Sequence, residues 1–146
     1  MEKRININDV EPQAIKAMYG LVGYLSTIKL AKKSMELIKI RASQINGCAY
    51  CLDMHTTEAL KIGETNQRIF LLNAWREAGL FTEEEKVVLA MTEEITLIQN
   101  GGLSDETYAK AEQFFDKQLI AQIIMAIVTI NAWNRIAIST QLLPGS

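Results

Sequence analysis

Cysteine and histidine are scarce in this chain. Its 146 residues include two cysteines and one histidine. Two cysteines are too few for the disulfide scaffold of a secreted domain, and no signal-peptide pattern opens the sequence; both features point to the cytoplasm. An excess of charge of either sign is lacking as well. Fifteen Lys and Arg stand against seventeen Asp and Glu, a net charge of −2 with no basic cluster, which excludes a nucleic-acid footprint. Long apolar runs are missing. The most apolar stretch, LIAQIIMAIVTI at 119–130, is 12 residues long and contains Gln122, so it reads as a buried helix and no membrane partner is expected. No strand-like alternation of useful length appears, nor a linker, repeat or low-complexity tract. The expected fold class is therefore all-α, one domain over residues 1–146 with its core at about 11–140. No haem, flavin or nucleotide motif is present, so no cofactor is expected.

What is there is concentrated. Cys48, Cys51 and His55 fall within eight positions, inside the stretch ELIKIRASQINGCAYCLDMHTTE at 36–58. Residues 34–45 carry helical periodicity, and Asn46-Gly47 is a stop signal, because glycine accepts the left-handed conformation that ends a helix. A second helical pattern starts at about Ala49. Cys48 then sits near a helix N-terminus and Cys51 in its first turn, where unpaired N–H groups and the helix dipole favour an anionic sulfur. Cys51 and His55 are four apart on one helix face. Cys48 is seven from His55, about 10 Å along the axis. His55 thus serves Cys51 directly and Cys48 only remotely, and the spacing lets the two cysteines form a disulfide. The opposing consideration is that Cys48 lies closer to the open end of the dipole.

The turn supplies a fourth group. If the two helices fold back antiparallel, Glu36 and His55 lie roughly 15 and 12 Å from it, within one turn of each other. Glu36 can then orient or charge-balance His55, as a carboxylate does in nucleophile–base–acid arrangements.

Glu36, Cys48, Cys51 and His55 match the Glu-x₁₁-Cys-x-x-Cys-x-x-x-His pattern of the carboxymuconolactone decarboxylase superfamily, and the chain resembles its alkylhydroperoxidase D-like branch. The surrounding RASQINGCAYC and DMHTTEALKIGET resemble the small single-domain members. AWRE (74–77), FTEEEKVVLAMTEEIT (81–96) and INAWNR (130–135) extend the resemblance over about residues 5–138. It implies an all-α fold, a homo-oligomer (trimer or hexamer) and thiol-dependent reduction of hydroperoxides. It also implies that Cys51 is the peroxidatic cysteine and Cys48 the resolving one, with a lipoyl or thioredoxin-like dithiol as reductant. Alkylhydroperoxidase D has a further histidine between its cysteines; this chain has Tyr50 there.

Competing readings attach to the same residues. The cysteines can be plain buried apolar groups, or Cys48, Cys51, His55 and Glu36 can be zinc ligands. Three ligands along one helix face converge poorly, so no metal is expected. A Cys-x-x-Cys in a βαβ setting would read as thioredoxin-like, but helices flank this one on both sides. A dithiol–disulfide oxidoreductase or redox sensor keeps the cysteines and drops the peroxide. A lyase like the superfamily's founding activity needs no cysteine pair. Tyr50 reads as pocket wall, proton donor or core. Trp75 and Trp133 read as core or interface anchors, Asp53 and Glu58 as solvent-facing, and Arg76 and Arg135 as partners of acidic neighbours.

Along the rest of the chain, residues 1–10 read as extended. Helices are expected at 11–26 with Pro12 in the first turn, 28–45, 49–62, 66–78 capped by Thr65, 83–99 opened by a Thr82/Glu85 capping box, 105–114 capped by Ser104, and 117–139.

Overall fold

A computed structural model describes residues 3–146. Its regular elements are all helical: α1 (Ile7–Val10), α2 (Pro12–Leu25), α3 (Lys32–Asn46), α4 (Ala49–Lys61), α5 (Asn66–Phe70), α6 (Trp75–Ala78), α7 (Glu83–Thr96), α8 (Asp105–Phe114) and α9 (Lys117–Ser139), with short 3₁₀ turns at Leu72–Ala74 and Ile98–Asn100.

Helix α3 is the hub, packing against α4, α7 and α9. Its residues divide by face. Met35, Ile38 and Ala42 join Val88, Met91, Ile123 and Ile127 in one cluster. Leu37 and Ile40 join Leu72, Trp75 and Leu89 in a second. Fully burying each large aliphatic side chain contributes roughly 1.5–3 kcal/mol, so the two clusters dominate the stability. The remaining stripe of α3 is polar: Glu36, Lys39, Ser43 and Asn46 follow at helical spacing, and its first two members line the candidate site.

The stripe is fastened to α9 by amides. Asn46 Nδ2 donates to Oδ1 of both Asn131 and Asn134, at 2.9 Å each, and Asn134 Nδ2 donates to Ser43 Oγ at 3.0 Å. Asn134 is fully buried. Asn46 therefore does more than stop a helix. Gly47 makes the turn itself, with φ of 72°, a conformation that glycine adopts without strain.

Several expected boundaries shift. The first two residues of the stretch read as extended lie outside the described residues. Within the rest of it, Asn6 accepts from Asn8 N–H and caps the short helix α1. The helix expected from 28 begins at Lys32. Ser26 and Thr27 turn their hydroxyls back onto the carbonyls of Gly23 and Tyr24, which ends α2, and the Lys29 N–H donates to Gln122 Oε1. The single helix expected at 66–78 is broken into α5, a 3₁₀ turn and α6. The tighter turn eclipses positions three apart, and Ile69, Leu72 and Trp75 all enter the same cluster. The helix expected to run to 99 stops at Thr96. The caps at Thr65, Thr82 with Glu85, and Ser104 are all formed.

Helix α9 is long and apolar enough, by length and composition, to cross a membrane, in contrast to the twelve-residue run that marks it in the sequence. In this fold it is a core helix: Ile120, Ile123, Ala126, Ile127 and Ile130 are buried against α3 and α7.

Candidate active site

Helices α3 and α4 form the antiparallel pair that the turn at Asn46-Gly47 requires. Cys48 is the N-cap of α4 and Cys51 lies in its first turn. The Ser43 carbonyl accepts from the N–H groups of both Gly47 and Cys48, which fixes the approach of the chain to the cap. Cys48 Sγ accepts from the Cys51 N–H at 3.2 Å, so the sulfur does the work a serine or aspartate oxygen does at other N-caps. Cys48 and Cys51 are joined in a disulfide with their Cα atoms 5.3 Å apart. Both are buried, against Ala137, Tyr50 and Leu142.

A cavity of about 880 Å³ opens beside the disulfide. Its wall includes Glu36 and Lys39 from α3, and Tyr50, Cys51 and His55 from α4. Cys48 does not line it. The body of the cavity is apolar, with Ile15, Leu25, Met35, Ile130 and Trp133 among its lining. Tyr19 and Trp133 meet there with ring centroids 5.8 Å apart.

The predicted pairing of Glu36 with His55 is formed: His55 Nδ1 lies 3.1 Å from Glu36 Oε2. The other carboxylate oxygen, Oε1, accepts from Lys39 Nζ at 3.0 Å. Burial works against the charge on Glu36. The hydrogen bond to His55 and the positive charge of Lys39 outweigh it, and the carboxyl is held below its ordinary value of 4.5. A carboxylate only accepts hydrogen bonds, so this pairing assigns the proton to Nδ1 in the neutral ring and leaves Nε2 as the basic nitrogen.

These details decide among the readings of single residues. Tyr50 and Trp133 are cavity wall. Trp75 is core, with the Arg76 guanidinium 4.1 Å from its ring centroid. Arg76 pairs with Glu93 at 2.7 Å. Arg135 instead donates to the carbonyl and side-chain oxygens of Asn131. Asp53 and Glu58 are exposed, Glu58 at the cavity rim. Among the described residues, no three of His, Cys, Asp and Glu group as a metal-binding set. Lys39 was not singled out in the sequence, although its position three after Glu36 places it on the same stripe.

The family model for the carboxymuconolactone decarboxylase family matches residues 12–94, which include all four of Glu36, Cys48, Cys51 and His55. The chain belongs to this family. It is 40% identical over 139 residues to the uncharacterized protein YdfG of Bacillus subtilis (strain 168), covering 95% of each chain. Its fold is similar to the crystal structure of ATU0492 from Agrobacterium tumefaciens, a protein of unknown function proposed to be an AhpD antioxidant-defence protein. There the TM-score is 0.94 at 36% identity, over 99% of both chains. The apo debrominase Bmp8 has the same fold at 16% identity, with a TM-score of 0.84 over 94% of this chain and 74% of its own. The fold is thus AhpD-like, and a debrominase shares it.

Proposed function

We propose that the protein is a thiol-dependent peroxidase that reduces hydrogen peroxide or organic hydroperoxides. The observation that carries this reading is the asymmetry of the disulfide. Cys51 reaches the cavity that holds the His55–Glu36 pair, and Cys48 is shielded from it. An attacking sulfur needs access and a base; a resolving sulfur needs only its partner.

In the reduced enzyme His55 Nε2 takes the Cys51 proton. The thiolate attacks the distal peroxide oxygen: an S–O bond forms, the O–O bond breaks, and the departing alkoxide takes the proton from His55. Cys51 is then a sulfenic acid. The Cys48 sulfur attacks Cys51 Sγ, the S–S bond forms, and water leaves. An external dithiol, lipoyl or thioredoxin-like, reduces the disulfide by exchange and is itself oxidised. This reading assigns the enzyme to the cytoplasm, where thiols are kept reduced.

Cys48→Ser should consume about one hydroperoxide per subunit and accumulate a dimedone-trappable sulfenic acid on Cys51, which lacks its resolving partner. Cys51→Ser should barely react. A trapped adduct on Cys48 of Cys51→Ser at the wild-type rate would reverse the roles. If the disulfide form exchanges with dithiols while the reduced protein leaves hydroperoxide untouched, the function is dithiol–disulfide exchange.

A further inference from the structure

Lys39 has no part in the steps above, yet it touches the machinery that performs them. Its Nζ lies 3.0 Å from Glu36 Oε1, while Oε2 of the same carboxylate faces His55 Nδ1. Its side chain lines the cavity and is 26% exposed, against 12% for Glu36 and 15% for His55. The three groups form a row of cation, anion and imidazole. Surface pairs three apart on a helix contribute little to stability. Here the shared carboxylate is also the partner of the base, so the lysine charge reaches the imidazole.

The sign of the effect follows from electrostatics. A carboxylate alone beside His55 favours the imidazolium. An imidazolium already formed at neutral pH has no room for the Cys51 proton. A cation on the far oxygen of the carboxylate opposes that tendency. The other ionisable side chains around the cavity are Lys32 on α3, Tyr50 and Glu58 on α4 and Tyr19 on α2, while α9 contributes only uncharged side chains. Of these charged groups, Lys39 is the one bonded directly to Glu36.

We propose that Lys39 is a positioning residue: its ammonium fixes the Glu36 carboxylate and offsets the charge that this carboxylate presents to His55, the acceptor of the Cys51 proton. The inference rests on His55 as the proton acceptor, and it deepens that reading.

The chain has one histidine, so a single imidazole Hε1 resonance reports its titration by proton NMR. The oxidised full-length protein is used, because disulfide-bonded cysteines do not titrate. In Lys39→Met the His55 midpoint should rise by about one pH unit, the scale expected for one partly screened charge nearby. Lys39→Gln should behave the same way, and Lys39→Arg should titrate like wild type. In the reduced protein, the pH at which Cys51 alkylation accelerates should move upward in Lys39→Met. This holds whether the singly deprotonated pair is thiol–imidazole or thiolate–imidazolium, because removing a cation disfavours both. An unchanged His55 midpoint in both neutral variants would overturn the inference, as would a shift in Lys39→Arg as large as in Lys39→Met. A shifted midpoint in a protein that consumes no hydroperoxide would uphold the role of Lys39 and sink the peroxidase reading alone.

Discussion

Glu36→Gln keeps the shape of the side chain and removes its charge. In the wild type, Oε2 lies 3.1 Å from His55 Nδ1 and Oε1 lies 3.0 Å from Lys39 Nζ, in a setting where little of the carboxylate is exposed. A hydrogen bond to a charged group contributes about 1.5–3 kcal/mol, and a neutral one about 1 kcal/mol. The variant should therefore lose about 1–2 kcal/mol of preference for the imidazolium that forms as Cys51 gives up its proton. That is about 5- to 30-fold in the rate of sulfenic acid formation. It is less than the roughly 10²- to 10⁴-fold worth of a complete general base, because the glutamine oxygen still accepts from Nδ1–H and holds the tautomer. Lys39 is left without its counter-ion, but it is exposed enough to hydrate. The assay is single-turnover consumption of an organic hydroperoxide by the reduced protein, with the thermal midpoint measured alongside. Wild-type rates at every pH, in a variant of unchanged stability, would show that Glu36 is a structural residue and that His55 does not depend on it.

Two further outcomes test the scaffold. Glu36, Glu85, Glu93 and Glu94 are all held below the ordinary 4.5; burial raises each, and it is outweighed by His55 and Lys39, by Arg68 and Thr82, by Arg41 and Arg76, and by Ser104 and Thr107 respectively. A carboxyl lowered on folding gives stability that is complete above 4.5 and is lost as pH falls through the folded value. Urea midpoints should be flat above pH 5 and fall below about 4.5, and a midpoint that stays level down to pH 3 would contradict the pairings. Asn134→Ala removes one of the two acceptors of Asn46 and the donor to Ser43 from a fully buried position. The expected loss is about 2–4 kcal/mol in denaturant unfolding, part cavity and part unpaired amide, and a loss below about 1 kcal/mol would mean that the network is dispensable.

Much of the site was legible along the chain because its parts are close in sequence. Cys48, Cys51 and His55 lie on one helix, where spacing converts directly into geometry. Glu36 was reachable because a single tight turn separates its helix from theirs, and equal distances from a turn come level. The capping residues were legible for the same local reason. The missed boundaries at 26–31 and 71–74 are different in kind. Ser26 and Thr27 end α2 locally, but what delays the next helix and reshapes the second stretch lies elsewhere: Gln122 on α9 holds the Lys29 N–H, and Leu72 and Trp75 are buried in the core.

By itself the sequence determined the helical fold class and the grouping of the Cys-x-x-Cys-x-x-x-His segment with its carboxylate, because period, caps and i, i+4 neighbours are local properties. The tertiary structure decided which sulfur meets the cavity. Cys48 and Cys51 are equivalent by composition and nearly so by position in the first turn. Both pack with Ala137 from α9, Tyr50 and Leu142, yet of the two only Cys51 lines the cavity. The tertiary structure likewise turned Asn46 from a stop signal into a tether, because its partners Asn131 and Asn134 are 85 and 88 residues away. No local pattern records a contact of that range; it exists because α9 must bury its apolar face against α3, and the amides meet when it does.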